Sequence, residues 1–288
     1  MGDDPGRTEI SPTELAIATG RTANGGEQIY WELASTGPDD DRPVVVLSHG
    51  AGGSHAVWYL QVPALGRRFR VLTWDSRGFG NSSNDTDSPS PDAAAADLAA
   101  ILDDLGIDGG HLVGQSMGGW HIAAFADAFP ERVRSLVFAD TVGGLWTDGL
   151  REAMQAFQAT GGLAGDGRNT LGGHPALWAG TAMRDPAHAF LYQALGSFHQ
   201  PPMDKLGATV AWTVSHDRIA GLGVPVLFLA GSHDQIFPAP LLAESAARIP
   251  GAGWVEIPAA GHSPYFEQPE VWNDAVLTFL ADAAGHGT

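Results

Sequence analysis

A serine flanked by glycines stands in the pattern G-x-S-x-G at residues 114–118. The apolar run 110–113 before it predicts a short strand, and residues 120–126 after it predict a helix that ends at Pro130. A tight turn between such a strand and helix lifts the Ser116 hydroxyl above the sheet edge and directs the helix N-terminus to the same place. Glycine and serine are common residues, so the pattern alone also fits a loop without a catalytic role. Whether Ser116 is catalytic therefore depends on whether the chain also provides a base, a carboxylate and oxyanion donors.

A serine hydroxyl is a poor nucleophile at neutral pH and needs an adjacent base. The best candidate is His262, which lies in a loop directly after the last predicted strand, residues 254–257. Functional loops of parallel sheets gather at that edge. His111 and His121 flank the serine turn, but we expect both to pack against the sheet.

The base in turn needs a carboxylate that holds its tautomer. Asp234 follows the predicted strand 224–230, and Asp140 follows the predicted strand 133–138. A turn or N-cap aspartate would look the same as Asp234. Strand-end position and the chain order Ser, Asp, His favour Asp234, while Asp140 stays the alternative acid.

Cleavage of an ester requires hydrogen-bond donors for the developing oxyanion. The backbone N–H of Met117, directly after the serine, is one candidate. The second is the backbone N–H of Ala51, in the glycine-rich loop 49–53 after the strand 44–48. Trp146 and Ile236 are predicted substrate contacts, because each comes soon after a strand end.

Strands alternate with helices along most of the chain, which predicts an α/β fold with a mostly parallel sheet and helices on both faces. The alternation stops after Asp140 and returns at Val224. Residues 141–221 contain helical stretches and many aromatic side chains but no convincing strand. We therefore predict a core formed by residues 1–140 and 222–288, with a helical cap, 141–221, inserted into it.

These segments together resemble the α/β-hydrolase superfamily, in the family's order and over about residues 28–284. The matching motifs are the His49-Gly50 loop, the segment 75–82, the serine turn 114–119, and the segments 231–234 and 261–264. The resemblance implies an eight-stranded, mostly parallel sheet with a lid after the sixth strand. It implies catalytic roles for Ser116, Asp234 and His262, oxyanion donors at Ala51 and Met117, and a scaffold ion pair at Arg77.

Departures from subfamily patterns narrow the reaction. Ser116 argues against haloalkane dehalogenases, which use aspartate there, and Ser263 stands where carbon–carbon bond hydrolases usually have tryptophan. Lys205 is an unconvincing lysine for a hydroxynitrile lyase. The prediction is a serine esterase or lactonase for a small to medium, largely apolar or aromatic substrate. A cofactor-free oxygenase, lyase, cyclase or carbon–carbon bond hydrolase with His262 as general base is the alternative, and a ligand receptor is a third.

Composition limits the partners. A formal net charge of -18 disfavours nucleic acid and anionic membranes, because their phosphates would be repelled. The chain has no cysteine, which excludes disulfides and thiolate nucleophiles. The N-terminus lacks the apolar stretch of a signal peptide, so we expect a cytoplasmic protein. The predicted chemistry needs no cofactor and no metal, and oligomeric state, including a homodimer, stays open.

Overall fold

The computed structural model describes residues 10–162, 174–197 and 207–285. Lys205 lies outside the described residues, as does part of the predicted cap. Within the described ranges, no helix has both the length and the apolar character that a bilayer crossing requires.

Eight strands form one sheet in the order β1-β2-β4-β3-β5-β6-β7-β8. The two pairings that involve β2 are antiparallel, and the other five are parallel. The predicted eight-stranded, mostly parallel sheet is therefore confirmed. The strands are β1 Ala16–Asn24, β2 Glu27–Ser35, β3 Val44–Ser48, β4 Arg70–Trp74, β5 Gly110–Gln115, β6 Val133–Ala139, β7 Val226–Gly231 and β8 Gly253–Ile257.

The central strands are buried on both faces, as their continuous apolar runs predict. In β3, Val44 and Val46 join one hydrophobic core, while Val45 and Leu47 join a second core on the opposite face. Because side chains alternate along a strand, one short β-branched run supplies both cores. This burial fixes the register of the strand and hence the height at which its following loop begins.

Helices cover both faces of the sheet. Leu98 and Ile122 pack in the first core, and Trp272 and Val276 pack in the second. The helices are α1 Gln61–Leu65, α2 Pro91–Asp104, α3 Met117–Ala128, α4 Asp148–Ala159, α5 Ala179–Arg184, α6 Pro186–Leu195, α7 Gly207–Ala211, α8 His216–Ala220, α9 Ala239–Ala246, α10 Pro264–Glu267 and α11 Pro269–Gly285.

Five of these helices, α4 to α8, lie in the segment between β6 and β7, which we call the β6–β7 insertion (residues 141–221). Its described part contains helices and turns but no strand. Val142 and Leu145, at its start, are fully buried in the hydrophobic clusters beside the sheet. The division of the chain into core and cap at residues 140 and 222 stays a prediction.

Candidate active site

Ser116 lies on the turn between β5 and α3, with backbone angles φ 50° and ψ −118°. This conformation is costly for a residue with a side chain, and the surroundings hold it. The Ser116 N–H donates to the Ala139 carbonyl at 3.0 Å, and the Thr141 hydroxyl donates to the Ser116 carbonyl at 2.6 Å. The neighbouring strand β6 and its following loop therefore fix the turn that presents the serine.

Close backbone approach explains the glycines around the serine. A Cβ on Gly118 would overlap the Ser48 carbonyl, and a Cβ on Gly114 would overlap the Gly118 carbonyl. Both positions require glycine because the first turn of α3 lies directly against the ends of β3 and β5. The same packing brings the N-terminus of α3 beside the loop that follows β3.

His262 and Asp234 reach the serine from the loops after β8 and β7. His262 Nε2 lies 2.8 Å from Ser116 Oγ, and His262 Nδ1 lies 2.9 Å from Asp234 Oδ2. Asp234 Oδ1 accepts the backbone N–H groups of Ile236 and Phe237 at 2.8 and 3.0 Å. Serine, imidazole and carboxylate thus form one hydrogen-bonded series, in which the histidine can pass a proton to and from the serine oxygen.

Asp140, the alternative acid, follows β6 and is fully buried. Its Oδ1 accepts the Gly231 N–H at 2.8 Å, and no hydrogen bond joins it to the imidazole. One donor atom each from Asp140, Asp234 and His262 nevertheless lie within 4.8 Å of one another. Such a trio could ligate a metal ion, but here Asp234 Oδ2 and His262 Nδ1 are engaged with each other, as a hydrogen-bonded acid and base are.

The two predicted oxyanion donors lie together beside the serine. Ala51 packs against Met117 and Phe79, and Ala51 and Met117 line the same cavity as Ser116. Within the described structure, neither backbone N–H is used in another hydrogen bond. Two such amides can serve an oxygen that binds between them.

Buried His49 holds the shape of the loop that carries Ala51. Its Nδ1–H donates to the Gly50 carbonyl at 2.8 Å, and its Nε2 accepts the Ser76 N–H at 3.1 Å. Burial lowers the pKa of His49, so the neutral tautomer that makes both bonds is favoured. His111, within β5, and His121, in α3, are also buried, and they hydrogen-bond Ser135 and Ser48. The predicted ion pair of Arg77 is present, with Asp97 as its buried partner.

Two polar side chains that the sequence analysis did not identify hold the loop that carries His262 (residues 258–263). Gln115 Nε2 donates to the His262 carbonyl at 2.8 Å. Glu267 Oε1 accepts the Gly261 N–H at 2.6 Å, while its Oε2 accepts the Trp178 N–H at 2.8 Å. Burial raises the pKa of Glu267 to about 7 against the opposing effect of these hydrogen bonds. Each residue has a partner far away in the chain, His262 for Gln115 and Trp178 for Glu267, so no local pattern could reveal its role.

A cavity of about 560 Å³ opens beside Ser116 and His262. Its wall is mostly apolar, with side chains that include Trp120, Met154, Phe157, Val210, Ile236 and Phe237. Ile236 thus lies where the sequence placed a substrate contact. Trp146 does not line this cavity: its ring packs behind the wall, 6.0 Å from Trp120 and 6.3 Å from Phe237. The criterion used on the sequence, a position shortly after a strand end, does not distinguish residues in the cavity wall from residues packed behind that wall.

A second, smaller cavity of about 200 Å³ also reaches Ser116 and His262. Its lining is more polar and includes Gln115, His174, Tyr192 and Gln193. Among the described residues, no arginine or lysine lines either cavity. The serine therefore faces an apolar space on one side and a space lined by hydrogen-bonding side chains on the other.

Comparison with known proteins identifies the family of the chain. A family model of the alpha/beta hydrolase fold matches residues 43–269. The chain is 31% identical over 266 residues to a protein of Caulobacter sp. (strain K31) named carbamate hydrolase RutD, covering 89% of this chain and 97% of that protein. A thermophilic esterase from Thermogutta terrifontis superposes with a TM-score of 0.74 and 27% identity, over 93% of this chain and 99% of the esterase. The N-acyl homoserine lactone degrading enzyme Est816 superposes with a TM-score of 0.73 and 26% identity, over 90% and 99% of the two chains.

Proposed function

The chain belongs to the α/β-hydrolase superfamily, and we propose that it is a serine hydrolase for a carboxylic ester or lactone of a small to medium, largely apolar molecule. The observation that carries this proposal is the hydrogen-bonded series Ser116–His262–Asp234, of which Ser116 and His262 line a mostly apolar cavity. Relatives named as a hydrolase, an esterase and a lactone-degrading enzyme support the same class of reaction.

The reaction proceeds through an acyl-enzyme. His262 Nε2 takes the proton of Ser116 as the serine oxygen attacks the substrate carbonyl carbon. The carbonyl oxygen becomes an oxyanion and accepts hydrogen bonds from the Ala51 and Met117 N–H groups. The bond to the leaving oxygen then breaks, and His262 gives its proton to that oxygen. Water repeats these steps on the acyl-enzyme and releases the carboxylic acid.

The two cavities suggest where the two portions of the substrate, on either side of its carbonyl group, would bind. The larger, apolar cavity suits a hydrocarbon or aromatic portion, because its burial removes apolar surface from water. The smaller cavity suits a compact group with uncharged hydrogen-bonding atoms. Lack of a lysine or arginine in the described lining and a net charge of -18 both disfavour anionic substrates.

The same machinery can act on other acyl derivatives. A carbamate carbonyl would meet the same nucleophile and oxyanion donors, and a relative is named for that reaction. A reaction in which His262 acts as general base while Ser116 only hydrogen-bonds the substrate is the competing proposal. It differs in one measurable respect, since it needs no covalent bond to Ser116.

The decisive experiment combines covalent labelling with turnover. A fluorophosphonate probe should add its mass to the peptide that contains Ser116, and p-nitrophenyl esters, aromatic lactones and aryl carbamates should be assayed with the labelled and unlabelled protein. Ser116→Ala should abolish both labelling and ester turnover, whereas Ser197→Ala, at an exposed serine after α6, should change neither. Labelling that persists in Ser116→Ala would assign the nucleophile elsewhere. Substantial turnover by Ser116→Ala would favour the general-base reaction.

A further inference from the structure

Asp140 is a buried carboxyl group that the proposed reaction does not use. Its side chain is fully shielded from solvent, and its backbone has φ 48°, in the left-handed region. Oδ1 accepts the Gly231 N–H at 2.8 Å, but no N–H or O–H group donates to Oδ2. An ionised carboxylate with one oxygen buried and unpaired would be costly, which calls for an explanation.

The surroundings of Asp140 are rich in acidic groups. One carboxyl oxygen of Asp234 and one ring nitrogen of His262 lie within 4.8 Å of a carboxyl oxygen of Asp140. Tyr265 and Glu267, both in α10, also interact with Asp140 electrostatically. Two carboxylates so close in a dry site are not both ionised at neutral pH. Burial, followed by the charge of Asp234, raises the pKa of Asp140 well above its usual value.

Hydrogen bonding decides which of the two aspartates keeps the proton. Asp234 accepts two backbone N–H groups on Oδ1 and the imidazole on Oδ2, and all three stabilise a negative charge. Asp140 accepts a single backbone N–H. The charge therefore belongs on Asp234 and the proton on Asp140, whose unpaired Oδ2 is the atom free to carry it.

We propose that Asp140 is a neutral carboxylic acid that donates from Oδ2 to the Asp234 carboxylate, and so acts as a positioning residue for the Asp234–His262 pair. This inference rests on the proposed function for its catalytic consequence. The hydrogen bond fixes the plane of the Asp234 carboxylate. When Asp140 is neutral, Asp234 is the only one of the two aspartates that carries a negative charge beside His262. A second negative charge there would favour the protonated imidazolium, which cannot act as a base.

Asp140→Asn and Asp140→Ala test the donor. The asparagine amide can donate where the acid does, and asparagine tolerates the left-handed backbone. Alanine lacks the donor, so kcat should fall by about tenfold or more, and asparagine should restore most of it at unchanged KM. Equal losses in both variants, at equal melting temperature, would overturn the positioning role.

The pH profile of Asp140→Asn tests the charge. We expect kcat/KM to rise with pH on the acidic side, because the reaction needs a neutral histidine base. If Asp140 is neutral, its replacement removes no charge, so the midpoint of that rise should stay within about 0.3 pH unit of that of the unaltered protein. Removing an ionised carboxylate within 4.8 Å of the imidazole would instead lower that midpoint by on the order of two pH units. A fall of one unit or more would overturn the proposal.

Infrared difference spectroscopy gives a readout independent of turnover. Protein carrying ¹³C-labelled aspartate should show the C=O stretch of a protonated carboxyl at neutral pH, and Asp140→Asn should lack it. Absence of that band from the unaltered protein overturns the proposal even if Asp140→Ala does not fold. Presence of the band without ester turnover would instead count against the proposed function alone.

Discussion

Two residues of the site, Ser116 and Asp140, have side chains and yet occupy the left-handed region of backbone angles, with φ 50° and 48°. Such strain costs on the order of 1–3 kcal/mol and persists only where the surrounding structure imposes it. Here the Ser116 and Asp140 amides donate to carbonyls of the adjacent strands, at Ala139 and Leu229. Parallel strands that end in register thus hold two neighbouring turns in conformations that direct both side chains towards His262.

Asp234→Asn should reduce kcat by several orders of magnitude. The asparagine keeps the size of the side chain but favours the imidazole tautomer that cannot accept the proton of Ser116. The same change costs about 10⁴ in kcat in a serine protease. Steady-state kinetics with a p-nitrophenyl ester measures the loss.

Asp140→Asn is the matched comparison, since it makes the same chemical change on the other buried aspartate. We expect it to lose less than about tenfold in kcat, because Asp140 does not bond the imidazole. The opposite ranking, in variants with equal circular dichroism spectra, would make Asp140 the acid that orients His262.

Among the elements, apolar strands and long helices were predictable from sequence, and short helices were not. The apolar runs at 44–48 and 133–138 predicted β3 and β6 to within a residue, and the helix predicted over residues 120–126 is part of α3. Helices such as α5 and α10 have six and four residues, which is too short for a helical period to emerge. Their formation depends on tertiary contacts, including those of Glu267.

Glu267 connects two elements far apart in sequence, and its titration should affect stability. Its carboxylate joins Gly261, before the histidine, to Trp178 and Thr181 at the start of α5. The pKa is about 7 in the folded protein, against 4.5 for an ordinary glutamate. With rising pH the unfolded chain therefore ionises first, so this group's contribution to the free energy of unfolding is complete below about pH 4.5 and is lost as pH rises through about 7.

Urea unfolding of Glu267→Gln and the unaltered protein measures that loss. The difference in unfolding free energy between them should fall by up to about 3 kcal/mol from pH 4.5 to pH 7.5, because glutamine does not ionise. Glu270→Gln, at an exposed position in α11, is the control and should give a nearly constant difference. A constant difference for Glu267→Gln as well would mean that Glu267 ionises as readily folded as unfolded.

At the scale of the whole molecule, most of the candidate site could be predicted from the order of its segments along the chain. Ser116, Asp234 and His262 could be inferred because each follows a predicted strand, and parallel strands bring their following loops to one edge. Gln115 and Glu267 could not, since their function is to bond backbone groups up to 147 positions away. Trp146 was placed at the correct edge but in the wrong layer, because the depth of a side chain depends on how the β6–β7 insertion packs.

The β6–β7 insertion should set the size of the accepted substrate, because Met154, Phe157 and Val210 come from it to line the larger cavity. Met154→Trp adds bulk inside that space. We expect kcat/KM for p-nitrophenyl octanoate to fall about tenfold or more relative to p-nitrophenyl acetate, since lost apolar contact costs on the order of 1–3 kcal/mol. Met183→Trp makes the same exchange on the exposed face of α5, where the methionine is 80% exposed, and should leave the ratio unchanged. Equal loss for both esters in Met154→Trp would mean that the larger cavity does not hold the hydrocarbon chain.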